Sequence, residues 1–208
     1  MEKFSSGHFR RLKINRKIIM KIAIHQPEHF PYMGFFQKMK EADIFVILDD
    51  VQYTKGNFQN RNRFKNINGD DEWFTISLEK KPHHKLIKDI KTNDTLNWRE
   101  RIIKQLYHNF NKDFSNIYSN SNLIDINLNS INYCRQKLSI DTPLILSSTL
   151  NIKTKGSQKL SDMCNELKAT EYISGQGAKK YLDESIFNCK VSFFEPKVTD
   201  YYTTLQHI

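Results

Sequence analysis

Residues 21–50, "KIAIHQPEHFPYMGFFQKMKEADIFVILDD", decide how this chain folds. Ile22–Ile24 form the centre of a short apolar run that stops at His25. Pro27, Pro31 and Gly34 follow, so the backbone is first stiffened and then freed. Phe35, Phe36, Met39 and Ala42 recur at helical spacing, and a second apolar run, "DIFVIL" (43–48), ends on Asp49-Asp50. Strand, constrained turn, helix and strand at these lengths predict a βαβ unit with two parallel strands.

Working outward, three later runs read as further strands: "PLILSS" (143–148), "EYISG" (171–175) and "KVSFFE" (190–195). They are continuously apolar rather than alternating, as strands buried on both faces are. Leu160, Met163, Cys164 and Leu167 predict a helix after Gly156-Ser157, and Ala178, Tyr181 and Leu182 a short one after Gly177. Residues 60–92 differ. "NRFKNINGDDEWFTISL" flanks an Asn-Gly-Asp turn with apolar runs, which predicts a β-hairpin. "HKLIKDIKT" (84–92) alternates like an exposed antiparallel strand. Residues 96–111 and 123–138 read as amphipathic helices, the first with Trp98, Ile102, Leu106 and Phe110 on one stripe. The expected fold class is therefore α/β: a mostly parallel, Rossmann-like sheet with an antiparallel hairpin and helical insertion between its second and third strands.

Composition bounds the rest. A chain of 208 residues with 38% hydrophobic and 12% aromatic content is long and apolar enough to bury a core. We expect a single α/β domain over 20–208, preceded by a basic arm over 1–19 that is disordered. Met20 then opens the first strand directly. No apolar run approaches the roughly 18 residues of a membrane span, and the start lacks a secretory pattern, so the expected location is cytoplasmic. The arm holds six Lys/Arg and one Glu, so it supplies +5 of the formal +9 and leaves +4 for the remainder. Net charge is thus weak support for nucleic acid, which is not expected as a partner. Cys134, Cys164 and Cys189 fit neither a disulfide framework nor a zinc pattern.

In an open parallel sheet, ligands bind beyond the carboxyl ends of the strands. His25 stands at the first such end, Asp49 at the second, and Ser174, Gly175 and Gly177 at a third. An imidazole held there suits phosphate binding or acid–base work, and capping of the strand end explains it equally well. His29 adds a His-x3-His spacing, but the prolines oppose the helix that would align the pair on a metal, and none is expected. Asp49 suits orientation of an amine or of Mg²⁺. Gln52, Lys55, Asn60 and Arg61 follow closely and suit an anionic substrate, with Arg61 as a bidentate fork. Gly34 opens a helix whose amides face an anion. Ser174, Gly175 and Gly177 can present backbone amides to phosphate, with Lys179 reaching back.

The string "HQPEHFPYMGFFQKMKEADIFVILDDVQYTKGNFQNRNRFK" resembles the opening of the WbqC-like family: His-Gln-Pro, a Pro-aromatic-x-Gly turn, an Ala-Asp strand ending in Asp-Asp, then Gln-aromatic-x-Lys and Gln-Asn-Arg. His25, Gln26, Pro27, Pro31, Gly34, Asp43, Asp49, Gln52, Lys55, Asn60 and Arg61 carry the match, which continues through "EWFTISL", "NWRERI", "KGSQKLSDMCNELKATEYISGQGAKKYLD" and "FFEP". Members often lie in O-antigen and other surface-polysaccharide gene clusters. The resemblance implies acyl or aminoacyl transfer, glycyl in particular, to a nucleotide-linked amino sugar. His25 and Asp49 would then be catalytic and Gln26, Gly34, Gln52, Lys55, Asn60 and Arg61 substrate-binding. A fainter similarity to pantothenate synthetase, of the nucleotidyltransferase-like α/β group, implies ATP, Mg²⁺ and an acyl-adenylate, as in an ATP-dependent carboxylate–amine ligase. The His-x-Gly-His signature of that group is absent here. The alternative is a non-catalytic nucleotide- or sugar-binding accessory module of a glycan-biosynthesis complex. The family pattern also runs past "YYTTLQHI" into an apolar segment, so the chain is expected to lack that piece.

Overall fold

The computed structural model describes residues 19–208, so all of the expected basic arm but Ile19 lies outside the described residues. Five strands form one parallel sheet: β1 (Lys21–His25), β2 (Ile44–Ile47), β5 (Leu144–Leu146), β6 (Glu171–Gly175) and β7 (Lys190–Phe194). Their order across the sheet is β5-β2-β1-β6-β7. The chain builds outward from β1 to β2 and β5, then crosses to β6 and β7 on the other side. That reversal makes the gap between the ends of β1 and β6 a topological switch point, where open α/β sheets bind ligands.

Strand periodicity buries both faces. Ala23, Phe45 and Ile47 point into one core with Phe35, Phe36 and Met39 of α1 (Met33–Lys40). Ile22, Ile24 and Val46 point the other way, against Met163 and Cys164 of α4 (Gly156–Glu166) and Tyr172 of β6. This two-sided burial is why the strands read as unbroken apolar runs. The hairpin β3 (Arg61–Lys65) and β4 (Asp71–Thr75) pairs antiparallel around Gly69, whose φ of 84° is the left-handed geometry that glycine tolerates. Helices α2 (Trp98–Phe110) and α3 (Leu123–Lys137) complete the insertion between β2 and β5, with Trp98, Ile102 and Leu106 buried as their stripe predicts.

Two expectations are corrected. Residues 84–92 do not form a strand; Pro82–His84 and Ile87–Asp89 are single 3-10 turns, and Ile87 and Ile90 are both fully buried. In such a turn residues three apart share a face, so the apolar pair reaches the core without a ladder. The short helix expected near Ala178 is likewise a 3-10 turn, Gln176–Lys180. Among the described residues no helix is long and apolar enough to cross a membrane.

The turn joining β1 to α1 is held from several directions. Phe30 has φ 43°, a strained region for a large side chain, and is fully buried. Its carbonyl accepts hydrogen bonds from Asn62 Nδ2 and Thr203 Oγ1, both at 2.8 Å, and its amide donates to Ser130 Oγ at 3.0 Å. The hairpin, the C-terminal segment and α3 therefore fix one turn together.

Candidate functional site

Two cavities open at the switch point. The first, of about 340 Å³, is lined at its floor by His25, Glu28 and Lys38, and around its walls by Gln26, Gln59 and Ser174. The second, of about 350 Å³, lies on the other side of Gly175–Gly177 and is walled by Tyr32, Phe194, Glu195 and Tyr201. His25, Lys38, Gly175 and Gly177 line both.

His25 is fixed by its strand: it pairs in register with Ile47, and its carbonyl accepts from the Leu48 amide at 2.7 Å. Its ring meets Phe35 edge-on, with centroids 4.9 Å apart. Nδ1 lies 2.9 Å from the Gln26 carbonyl. A carbonyl only accepts, so Nδ1 carries the proton and Nε2 keeps the free lone pair. Burial, and secondly the Lys38 charge, push its pKa down to about 3, although 26% of the side chain remains open to the cavity. Glu28 Oε1 stands 3.9 Å from Nδ1, and burial, opposed by Lys38, raises its carboxyl to about 7. Lys38 enters from α1 and donates to the Ile24 carbonyl at 3.2 Å; burial, opposed by Glu28, lowers it to about 7. Three titratable groups on one floor are thus all biased toward their neutral forms, Glu28 and Lys38 to the edge of ionisation at neutral pH.

Sequence reasoning passed over Glu28 and Lys38. A signal existed for the lysine: it sits three residues after Phe35 and four before Ala42, inside the apolar stripe of α1. A lysine on a core-facing stripe is either misplaced or held there for its chemistry.

The walls suit a polar, anionic ligand. Ser174 is 1% exposed, and its Oγ has no hydrogen-bond partner among the described residues. Burial pushes the Tyr172 phenol up, and the neighbouring Ser174 hydroxyl opposes that shift. A Cβ built on Gly175 or Gly177 would meet nothing within 4 Å, and neither has a positive φ, so neither crowding nor conformation demands glycine there. What the missing side chains leave is space for a ligand against the backbone. Gln59 Nε2 donates to Gln26 Oε1 at 2.6 Å, which sets both amides at the rim. This donor set fits a phosphate or nucleotide, the ATP expected from the sequence included. Lys179 is exposed, lies over the Phe193 ring at 5.1 Å and lines neither cavity.

The remaining expected residues go elsewhere. Asp49 is 2% exposed and lines neither cavity. It accepts from Ser147 Oγ (3.0 Å), the Ser148 amide (2.9 Å) and Ser148 Oγ (2.7 Å), tying the end of β2 to the end of β5. Asp50 is paired with Lys159 at 2.8 Å. With these oxygens taken, the Asp-Asp pair does not fit a divalent ion, and no group of three or more His, Cys, Asp or Glu among the described residues is placed for one. Gln52 donates to the His83 carbonyl at 2.6 Å. Asn60 accepts from the Tyr53 hydroxyl and donates to the Ile76 carbonyl. Arg61 donates to the Gly56 carbonyl and lies 4.7 Å over Trp73. Lys55, Asn60 and Arg61 line a separate cleft with Lys81 and His83, while Thr54, Asn57 and Gln59 face the first cavity. The loop 53–60 therefore divides the expected set between its two sides. Gly34 lines the second cavity, where a Cβ would sit 2.4 Å from the Tyr32 ring and 2.7 Å from Pro196 Cβ. His29 is buried among Phe30, Phe74 and Tyr118, with Nε2 3.1 Å from the Tyr118 hydroxyl, and does not join His25.

Sheet order defines a Rossmann-like α/β protein, and two cavities open at the carboxyl edge of its parallel sheet. The chain belongs to the WbqC-like protein family, whose profile matches residues 26–207. It is similar to an uncharacterised protein of Mycobacterium tuberculosis, Rv1507c, with 30% identity over 191 residues, covering 84% of this chain and 82% of that protein. No solved structure matches the chain significantly.

Proposed function

We propose that this protein transfers an acyl or aminoacyl group, glycyl being the simplest case, to the amine of a nucleotide-linked amino sugar in surface-polysaccharide biosynthesis. One observation carries the reading: an imidazole, a carboxyl and an amine, all biased toward neutrality, share the floor of a cavity whose wall holds the unpartnered Ser174 hydroxyl. Ser174 and the Gly175–Gly177 backbone hold phosphate, and Gln26 and Gln59 present amides to the remaining polar groups. The amine nitrogen attacks the acyl carbonyl carbon, the bond to the leaving oxygen breaks, and that oxygen keeps the electron pair. His25 Nε2 takes the proton the amine loses. Glu28, whose carboxyl is raised to about 7 and so is part ionised at neutral pH, stands 3.9 Å from Nδ1, where its carboxylate form offsets the imidazolium. In this reading the activated donor is an acyl-adenylate, formed when the donor carboxylate attacks the α-phosphorus of ATP and pyrophosphate leaves, and it reacts at the His25 end of the site.

The test is incubation with ATP, glycine and UDP- or GDP-linked amino sugars, followed by mass spectrometry for a glycyl adduct. Glycyl-tRNA and acyl-CoA serve as alternative donors. Absence of adduct with every donor sinks the proposal. A second reading, a binding module without turnover, draws on the weak basicity of the resting His25 ring. It requires ligand affinity to survive His25→Ala and Asp49→Asn with no activity to lose.

A further inference from the structure

We infer that the two cavities meeting at His25 and Lys38 divide the acceptor between them, the nucleotide in the first and its amine-bearing sugar ring in the second. The identity of the ligand rests on the transfer reading above; the division itself rests on the walls.

The two linings mix polar and apolar surface in similar proportion but add different groups to it. Beside apolar Ile24, Leu48 and Leu160, the first adds amides and hydroxyls, on Gln26, Thr54, Asn57, Gln59 and Ser174. Such groups read phosphate, ribose and base edges by hydrogen bonds. The second offers ring faces. Tyr32 and Tyr201 lie 5.3 Å apart at 36°, with Phe35 and Phe194 beside them. Glu195 adds a carboxylate at the mouth. Aromatic faces with one carboxylate favour a flat ligand bearing a protonated amine, through cation–π attraction and charge pairing. At about 340 and 350 Å³ each cavity suits one part of such a ligand and is small for the whole.

The passage between them is already cut. Gly175 and Gly177 line both cavities, and a Cβ on either would project into open space. A ligand spanning the two crosses there with its diphosphate link, and His25, which lines the second cavity as well as the first, also faces the sugar that bears the amine. The far wall is built in advance. Gln37 and Lys197 exchange two 2.9 Å hydrogen bonds between α1 and the segment after β7. Tyr32 bridges to Thr203, so the segment carrying Tyr201 is anchored on both sides. Gly34 lets Tyr32 and Pro196 close on α1.

Titration calorimetry on the full chain tests the division, with glucosamine, N-acetylglucosamine, glucose and UMP as probes. Tyr201 is 58% exposed and Glu195 is exposed, so Tyr201→Ala and Glu195→Gln leave the core untouched. Glucosamine should bind more tightly than N-acetylglucosamine or glucose. Glu195→Gln should erase that preference, and Tyr201→Ala should weaken glucosamine by about two- to fivefold, the range of a lost aromatic–cation contact at an exposed site. UMP affinity should be unchanged in both variants and reduced in Ser174→Ala, where sugar affinity is unchanged. Glucosamine binding that ignores both second-cavity substitutions, falls in Ser174→Ala, or is undetectable overturns the division. Loss of glycyl transfer alone, with this binding pattern intact, overturns the transfer reading and leaves the division standing.

Discussion

His25 is held neutral by two causes of unequal weight, burial first and the Lys38 charge second. Lys38→Met removes the smaller cause. We expect the His25 titration midpoint, followed by NMR of its ring protons, to rise in this variant while staying well below 6.5. A midpoint unmoved by the substitution would show that Lys38 carries no charge beside it. Binding of a phosphate compound should raise the midpoint further, because an anion favours the imidazolium. At the same scale Glu28 should move the opposite way to a paired carboxylate. Its carboxyl, raised to about 7, should still be protonated at pH 5.5, detectable as a carbonyl stretch that Glu28→Gln abolishes.

At the scale of elements, Asp49 acts as a clamp between β2 and β5 rather than as a lining group. Asp49→Ala leaves the part-buried Ser148 hydroxyl and amide without their acceptor and should cost about 1–3 kcal/mol in denaturant unfolding. An unchanged midpoint would refute the clamp. Gly34→Ala is a sharper case, since its Cβ would lie 2.4 Å from a ring carbon and 2.7 Å from a proline carbon. We expect about 1–3 kcal/mol of destabilisation from the forced shift, together with weaker sugar binding, because the displaced groups wall the second cavity. Element type was legible here where period and length agreed: all five parallel strands, the hairpin and the four α-helices stand where apolar patterning places them. It failed at 84–92, where Leu86, Ile87 and Ile90 mimic a strand. A 3-10 turn and a strand both bury isolated apolar residues, and a stretch of nine does not separate the periods.

For the whole molecule, the buried titratable groups set a pH dependence whose sign can be worked out. His25 and His29 are both pushed down to about 3, so the unfolded chain binds two more protons than the native one between that pH and 6.5. Glu28 opposes them: its native carboxyl keeps a proton from 4.5 to about 7 that the unfolded chain has lost. Between pH 4.5 and 6.5 unfolding therefore takes up a net of one proton, and stability should fall on acidification by about 1.4 kcal/mol per pH unit. Thermal melts across that window check it; a flat or rising Tm toward pH 4.5 would contradict it. His29 is structural, so its share should persist when ligand fills the His25 cavity.

The sequence by itself determined the strands, their parallel arrangement and the inserted hairpin and helices, because those follow from local periodicity and chain punctuation. It also marked His25, Ser174, Gly175 and Gly177, which the fold gathers at one switch point. Only the tertiary structure decided the partners. Asp49 looks like a ligand group until Ser147 and Ser148, after β5, arrive to occupy it. Lys38 stands out in the apolar stripe of α1, but only the packed fold gives its amine the Ile24 carbonyl as partner. Whether a polar side chain is free or spent depends on atoms distant in the chain, and no local pattern carries that information.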